Sequence, residues 1–146
     1  MKSIFDKTNY EELTNRLQKL TPSITPQWGK MNVAQMLHHI NLTTEAPLGK
    51  YKTKGRPNII MKIFKSVLYN DKPFGKGDPT PKDFKVTEVY NFDIEKERVL
   101  ANLKETFNKG AKGDYLPHVF FGKLTNEQWG MHFYKHVDHH LRQFGL

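Results

Sequence analysis

Two histidines, His136 and His140, stand four residues apart in the run TNEQWGMHFYKHVDHHLRQFGL at residues 125–146. If that run is helical, their Cβ atoms lie roughly 6 Å apart on one face, near enough for both imidazoles to reach a single ion. The run carries helix punctuation: Thr125 followed by Gln128 has capping-box spacing, and Gly145 sits where a terminating glycine is expected. Steps of about 100° per residue gather Trp129, Phe133, His136, His140 and Phe144 on one face, with Val137 beside them. Asp138 and Arg142 fall on the opposite side. A lone histidine on an apolar face is usually a core or boundary residue. Two at metal-ligand spacing make half a site, which needs a third ligand from elsewhere. His132 and His139 project to the flanks, where surface or supporting roles are expected.

The third ligand must come from another element. A second helix is expected from about Lys30 to Ala46, stopped by Pro47 and Gly49, with Val33, Met36, Leu37 and Ile40 as its apolar positions. His38 and His39 both fall within it, on different sides of that stripe, and periodicity alone does not choose between them. His118 lies in the turn-rich piece 111–123, just before the last helix. It is a candidate acid or base, weighed against the commoner role of a surface or hydrogen-bonded histidine.

The remaining elements must position these residues. Thr8 with Glu11 has capping-box spacing, and Tyr10, Leu13, Leu17 and Leu20 then recur at helical intervals. A connector at 21–29 carries Trp28, expected to plug the core. Residues 59–68 repeat apolar positions at i,i+4, with Lys62 and Lys65 opposite, which predicts a short amphipathic helix packed on the bundle or lining an entrance. Prolines and glycines at 70–84 mark a long irregular loop, and 86–92 alternates weakly enough to be extended. Asp93 is an expected N-cap for a helix through Val99, Leu100, Leu103 and Phe107, closed by Gly110. Four substantial helices, one short helix and no convincing sheet make an all-α bundle, a single domain over 1–146. Bundles build metal and cofactor sites from side chains on facing helices. The second and last helices both bring histidine.

Composition narrows the functional classes. The chain has no cysteine, so disulfides, thiolate ligands and a cysteine nucleophile are excluded. It shows no apolar run long enough to span a membrane and no signal-like N-terminus, which suggests a cytoplasmic location. The formal charge is +8, and residues 49–85 carry ten Lys/Arg against three Asp/Glu, a net +7 by subtraction. Such a segment suits an anionic small molecule, an acidic surface or plain solvation. It lacks the aromatic/basic interleave and the recognition helix of a nucleic-acid reader, so nucleic acid is the weakest of its partners.

The pairing of NVAQMLHHI with YKHVDHHLRQFG resembles the DinB-like superfamily, small four-helix bundles with a three-histidine metal site. The longer string HVFFGKLTNEQWG ahead of it is similar to an uncharacterised bacterial branch of that superfamily. The resemblance covers most of the chain and is weakest at 50–85. It implies a DinB-like four-helix bundle with a short additional helix and a long basic Pro/Gly loop. It also implies metal ligands at His39, which precedes Ile40, and at His136 and His140, with Gln143 at the superfamily's glutamine position. His38 and His139 double two ligand positions, and Leu141-Arg142 departs from the usual Arg-Gly order. The expected cofactors are a divalent metal, zinc or nickel, and a low-molecular-weight thiol. The expected partner is a small-molecule substrate, with a homodimer left open. Transfer of the thiol is the implied reaction. Metal-dependent hydrolysis and non-catalytic binding of metal or polyanion are the alternatives.

Overall fold

The computed structural model describes residues 1–56 and 60–146 in full, together with the backbone of Ile59. Its helices are α1 (Lys7–Gln18), α2 (Val33–Glu45), α3 (Ile59–Ile63), α4 (Phe92–Lys109) and α5 (Asn126–Gln143), with 3-10 turns at Lys65–Leu68, Lys82–Phe84 and Gly110–Lys112. The described residues contain no strand, and residues 86–92 make no ladder. A lone antiparallel bridge joins His118 and Gly122.

Helix starts follow side-chain chemistry, though not always at the expected residue. α5 begins on the predicted box: Thr125 Oγ1 accepts the Gln128 N–H at 3.2 Å, and Gln128 Oε1 accepts the Thr125 N–H at 3.0 Å. The same box starts α2, but from Asn32 and Gln35 rather than near Lys30. α1 is capped by Asp6, which accepts the Asn9 N–H, and Thr8 lies already inside the first turn. α4 is capped by Asn91, not Asp93. Asp93 instead sits in the first turn, where its charge complements the helix dipole. In both corrected cases an Asp or Asn two residues upstream supplies the oxygen first, on extended backbone.

α1 packs against α4 and α5, and α2 packs against the same two, so the four long helices close around one core. Leu13, Leu17, Met36, Leu37, Ile40, Val99, Leu103 and Leu141 fill it without solvent exposure. Each such side chain contributes about 1.5–3 kcal/mol relative to an exposed one. Trp129 is the tryptophan of this core. Trp28 is only half-buried and stands at a cleft mouth beside His139, which corrects the expectation that it plugs the core. Its connector is tied to the end of α5, where the Gln27 N–H donates to the Gln143 carbonyl and Gln143 Nε2 donates to the Trp28 carbonyl.

The α2–α4 interface is polar. Asn41 donates to Glu95 Oε2 at 2.7 Å, Asn102 donates to Asn41 Oδ1 at 3.0 Å and to Glu45 Oε1 at 2.9 Å, and Arg98 clasps Glu45 at 2.7 and 2.6 Å. Asn41, Glu45, Glu95 and Asn102 are all buried. Sliding one helix past the other would strand these groups unpaired, at about 1–3 kcal/mol each, so the seam holds α2 at one height.

The segment expected as a single short helix is broken. α3 ends at Ile63 and the chain resumes as a 3-10 turn at Lys65–Leu68. Leu68 is buried, but Ile63 is 76% and Phe64 60% exposed, and the side chain of Ile59 lies outside the described residues. Met61, Val67 and Leu68 line a cleft, as the entrance reading expects, and the segment also packs on the bundle through Leu68 against α5. Lys135 of α5 pins the end of that turn and the start of the long loop: its ammonium donates to Val67 O at 2.5 Å and to Asn70 O and Oδ1 at 3.2 and 2.9 Å. The same ammonium sits 4.4 Å from the Phe74 ring centroid. The long loop is thereby tied down over the α5 histidines.

Candidate metal centre

α2 and α5 face each other with His39, His136 and His140 at one level, and the ligand atoms of all three lie within 4.8 Å of one another. His39 Nε2 is 3.2 Å from His136 Nε2, and His140 Nε2 is 3.3 Å from the same atom. His38 does not join them. It turns toward α4, its Nδ1 3.1 Å from Glu95 Oε1 but off hydrogen-bond geometry, its ring stacked on Tyr90 at 3.7 Å.

The opposite ring nitrogens decide what the three Nε2 atoms are. His39 Nδ1 lies 2.8 Å from the Phe84 carbonyl oxygen, which only accepts, so Nδ1 carries the proton. His140 Nδ1 lies 2.9 Å from Gln143 Oε1. That amide cannot be flipped, because Gln143 Nε2 donates to the Trp28 carbonyl at 2.8 Å. His136 Nδ1 is 3.3 Å from Thr43 Oγ1. The Thr43 hydroxyl lies 3.0 Å from both the His39 and the Ile40 carbonyl, so it can give its proton to either and still accept from His136 Nδ1. His39 and His140 thus turn bare Nε2 lone pairs toward His136, and a proton on His136 Nδ1 directed at Thr43 would complete a set of three converging lone pairs.

Burial keeps these rings neutral. It pushes His39 down to about 4, an effect the Phe84 carbonyl only partly offsets. His136 and His140 are driven well below the ordinary histidine value, first by burial and then by neighbouring histidines, His140 and His39 beside His136 and His39 beside His140. Neutral imidazole is the ligand form of histidine. Two imidazole nitrogens on a tetrahedral ion, each bonded at about 2.0–2.1 Å, stand roughly 3.3 Å apart; the 3.2 and 3.3 Å separations to His136 match that spacing, and the three ligand atoms together lie within 4.8 Å. The three histidines, two buried and His136 half-buried, could hold a metal ion.

The model of a family described as "Protein of unknown function (DUF1569)" matches residues 2–145. The chain belongs to the DUF1569 family. No curated protein and no solved structure matches it. The reading of the DUF1569 site thus rests on its own geometry.

Around the triad the structure adds residues that spacing alone did not single out. His132 is buried, not a surface residue, with its ring 5.4 Å from His118 and 5.9 Å from His136. It lies one turn before His136 on a helix buried on nearly every side, so the single apolar stripe was too narrow a description of α5. Phe74 meets His132, His136 and His139 edge-on at 6.4, 6.4 and 5.7 Å. Thr43 and Gln143 carried a signal, since Thr43 follows His39 by four residues and Gln143 follows His140 by three. The Phe84 carbonyl carried none.

His118 lines the same cleft but stands behind His132, away from the triad. Burial pushes it down to about 4. Its Nδ1 accepts the N–H groups of Phe120 and Phe121 at 3.2 and 3.3 Å. The proton must therefore sit on Nε2. In this arrangement the ring is a neutral donor and not a base.

Proposed function

We propose that this DUF1569 protein is a metal-dependent enzyme of the DinB-like superfamily, acting in the cytoplasm, with His39, His136 and His140 as ligands of one divalent ion, zinc or nickel. Its reaction is transfer of a low-molecular-weight thiol to a small electrophilic substrate. The observation that carries the reading is the convergence of the three Nε2 atoms, with His39 and His140 oriented by Phe84 O and Gln143 Oε1 and with His136 Nδ1 beside Thr43 Oγ1. Such second partners are what orient and strengthen histidine ligands. When bound, an ion with three neutral ligands keeps its full charge and supplies strong acidification of a water or thiol at a fourth position.

The chain's own residues do the rest. α2 and α5 hold the imidazoles at fixed separation, and the α2–α4 seam keeps α2 from shifting. Phe74, held by Lys135, covers one side of the histidines and excludes water from it. His118 Nε2–H offers a hydrogen bond to a substrate oxygen farther up the cleft. With no cysteine in the sequence, the thiol must come from solution.

Two measurements test the proposal. Elemental analysis of untagged protein should find about one divalent ion per chain, absent from the His136→Ala/His140→Ala variant; equal metal in both sinks the site. Metal-loaded protein is then incubated with a panel of cellular thiols and a chromogenic electrophile, beside apo protein and His140→Ala shown to be folded by circular dichroism. Rate enhancement that requires both metal and thiol supports transfer. Enhancement without thiol assigns hydrolysis instead, and equal inertness of loaded and apo protein removes the enzymatic reading.

A further inference from the structure

The cleft that reaches the three histidines encloses about 1630 Å³. Small-molecule pockets usually span about 300–1,000 Å³, so this one has room well beyond a metal and a small thiol. Its charge is one-sided. Lys30, Lys52, Arg56 and Lys85 line it, and Asp78 is the only acid among the described lining residues. None of those four cations has a carboxylate partner among the described ion pairs.

The nearby acids keep their charge but take backbone N–H groups rather than pairing with these cations. Asp78 Oδ2 accepts the Gly75 N–H at 2.9 Å. Asp83 Oδ2 accepts the N–H groups of Lys54 and Gly55 at 3.1 and 2.7 Å, and the Tyr51 hydroxyl donates to the Asp83 carbonyl at 2.8 Å. These bonds lay residues 51–56 against the turn Lys82–Phe84. Lys52 and Arg56 are thereby brought to the wall that carries Lys85, the residue directly after the one whose carbonyl orients His39. Much of the remaining lining is apolar, including Met31, Phe84, Val86, Leu116 and Phe121.

A concave, largely apolar site lined by more cations than acids favours small anions. We propose that the cleft binds an organic anion with an apolar body, a carboxylate or a phosphate monoester, whose headgroup is held by Lys52, Arg56 and Lys85 beside the three histidines. This assigns the substrate class and rests on the reading of the triad as the reactive centre.

The test uses a matched pair of probes, anionic 1-anilinonaphthalene-8-sulfonate and uncharged N-phenyl-1-naphthylamine. Both tryptophans line the cleft, so energy transfer from tryptophan reports binding there. The anionic probe should bind about tenfold more tightly than the neutral one, as attraction to three solvent-exposed cations implies. The K52Q/R56Q/K85Q variant, shown to be folded by circular dichroism, should lose that preference and keep the neutral probe's affinity. Ile63→Ser/Phe64→Ser, on the exposed face of α3 and its turn, should change neither; loss of the signal there would place the probe outside the cleft and overturn the proposal. Equal affinity for the two probes, or an unchanged anion affinity in the triple variant, also overturns it. Displacement by decanoate or by decyl phosphate identifies the preferred headgroup, and displacement by neither counts against the class. Metal content of the wild-type protein, measured in the same preparation, tests the triad separately: an anion preference without metal removes the reactive centre and leaves the binding class, while metal without an anion preference does the reverse.

Discussion

Gln143 presents its amide oxygen to His140 Nδ1 at 2.9 Å because its nitrogen is already committed to the Trp28 carbonyl at 2.8 Å. A turn in the α1–α2 connector therefore sets the tautomer of a histidine near the end of α5. The Gln27 N–H, bonded to the Gln143 carbonyl at 2.7 Å, holds the same turn from the other side.

Gln143→Leu removes the acceptor and frees His140 to place its proton on either nitrogen. Metal affinity should fall about 10–100-fold, the usual cost of losing such a partner. Gln143→Glu, which keeps an acceptor, should lose less. Competition with a chromogenic chelator measures both, and an unchanged affinity in the leucine variant would contradict the role given to this amide.

Gly29 has a φ of +85°, and a Cβ there would stand 2.5 Å from Gln143 Nε2. Gly29→Ala should destabilise the fold by about 1–2 kcal/mol through backbone strain alone, and weaken metal binding as well by displacing Gln143. Urea unfolding gives the first quantity and chelator competition the second. A loss of stability with no change in affinity would separate the turn from the site.

The two adjacent histidines of α2 should behave differently. His39→Ala is expected to lose the metal. His38→Ala is expected to keep it and to cost about 1–2 kcal/mol, since it opens the packing against Tyr90 and Glu95. Metal retained in both variants, or lost from both, would refute the assignment.

Acid should unfold the metal-free protein in a defined window. Burial lowers His39 and His118 from the ordinary 6.5 to about 4, and lowers His132, His136 and His140 as well. The native chain keeps these rings neutral, while the unfolded chain takes up protons at them below about pH 6.5. Unfolding thus binds protons, so stability is full above pH 6.5 and falls as the pH is lowered. For His39 and His118 the loss is complete near pH 4. Thermal midpoints of apo protein measured from about pH 7 to 4.5 should drop steeply, and a flat profile would exclude buried neutral histidines.

Local signals carried the fold well where one side chain or one spacing decides. The Thr125/Gln128 box and the His136/His140 pair are read directly from the chain, and both stand where expected. Signals failed where two neighbours offer the same chemistry. Asp6 outcompetes Thr8, and Asn91 outcompetes Asp93, because the upstream residue meets the extended backbone first. The choice between His38 and His39 was hidden for another reason. α2 is buried on both sides, against the core and against the polar seam of α4, so it has no single apolar stripe to read. The Phe84 carbonyl that orients His39 lies 45 residues away on a loop, and no periodicity reports a backbone oxygen.

The seam between α2 and α4 has a consequence for how an ion would be loaded. Its hydrogen bonds are made among protein groups alone and lie on the far side of α2 from the triad. The bundle's frame is thus complete before any metal arrives, unlike small domains that fold only around their zinc. Binding would then add stability by mass action to an already folded chain. An ion held this way is a passenger of the bundle rather than its staple: a chelator should strip it while the helical signal persists, and exchange with the cellular metal pool proceeds without unfolding.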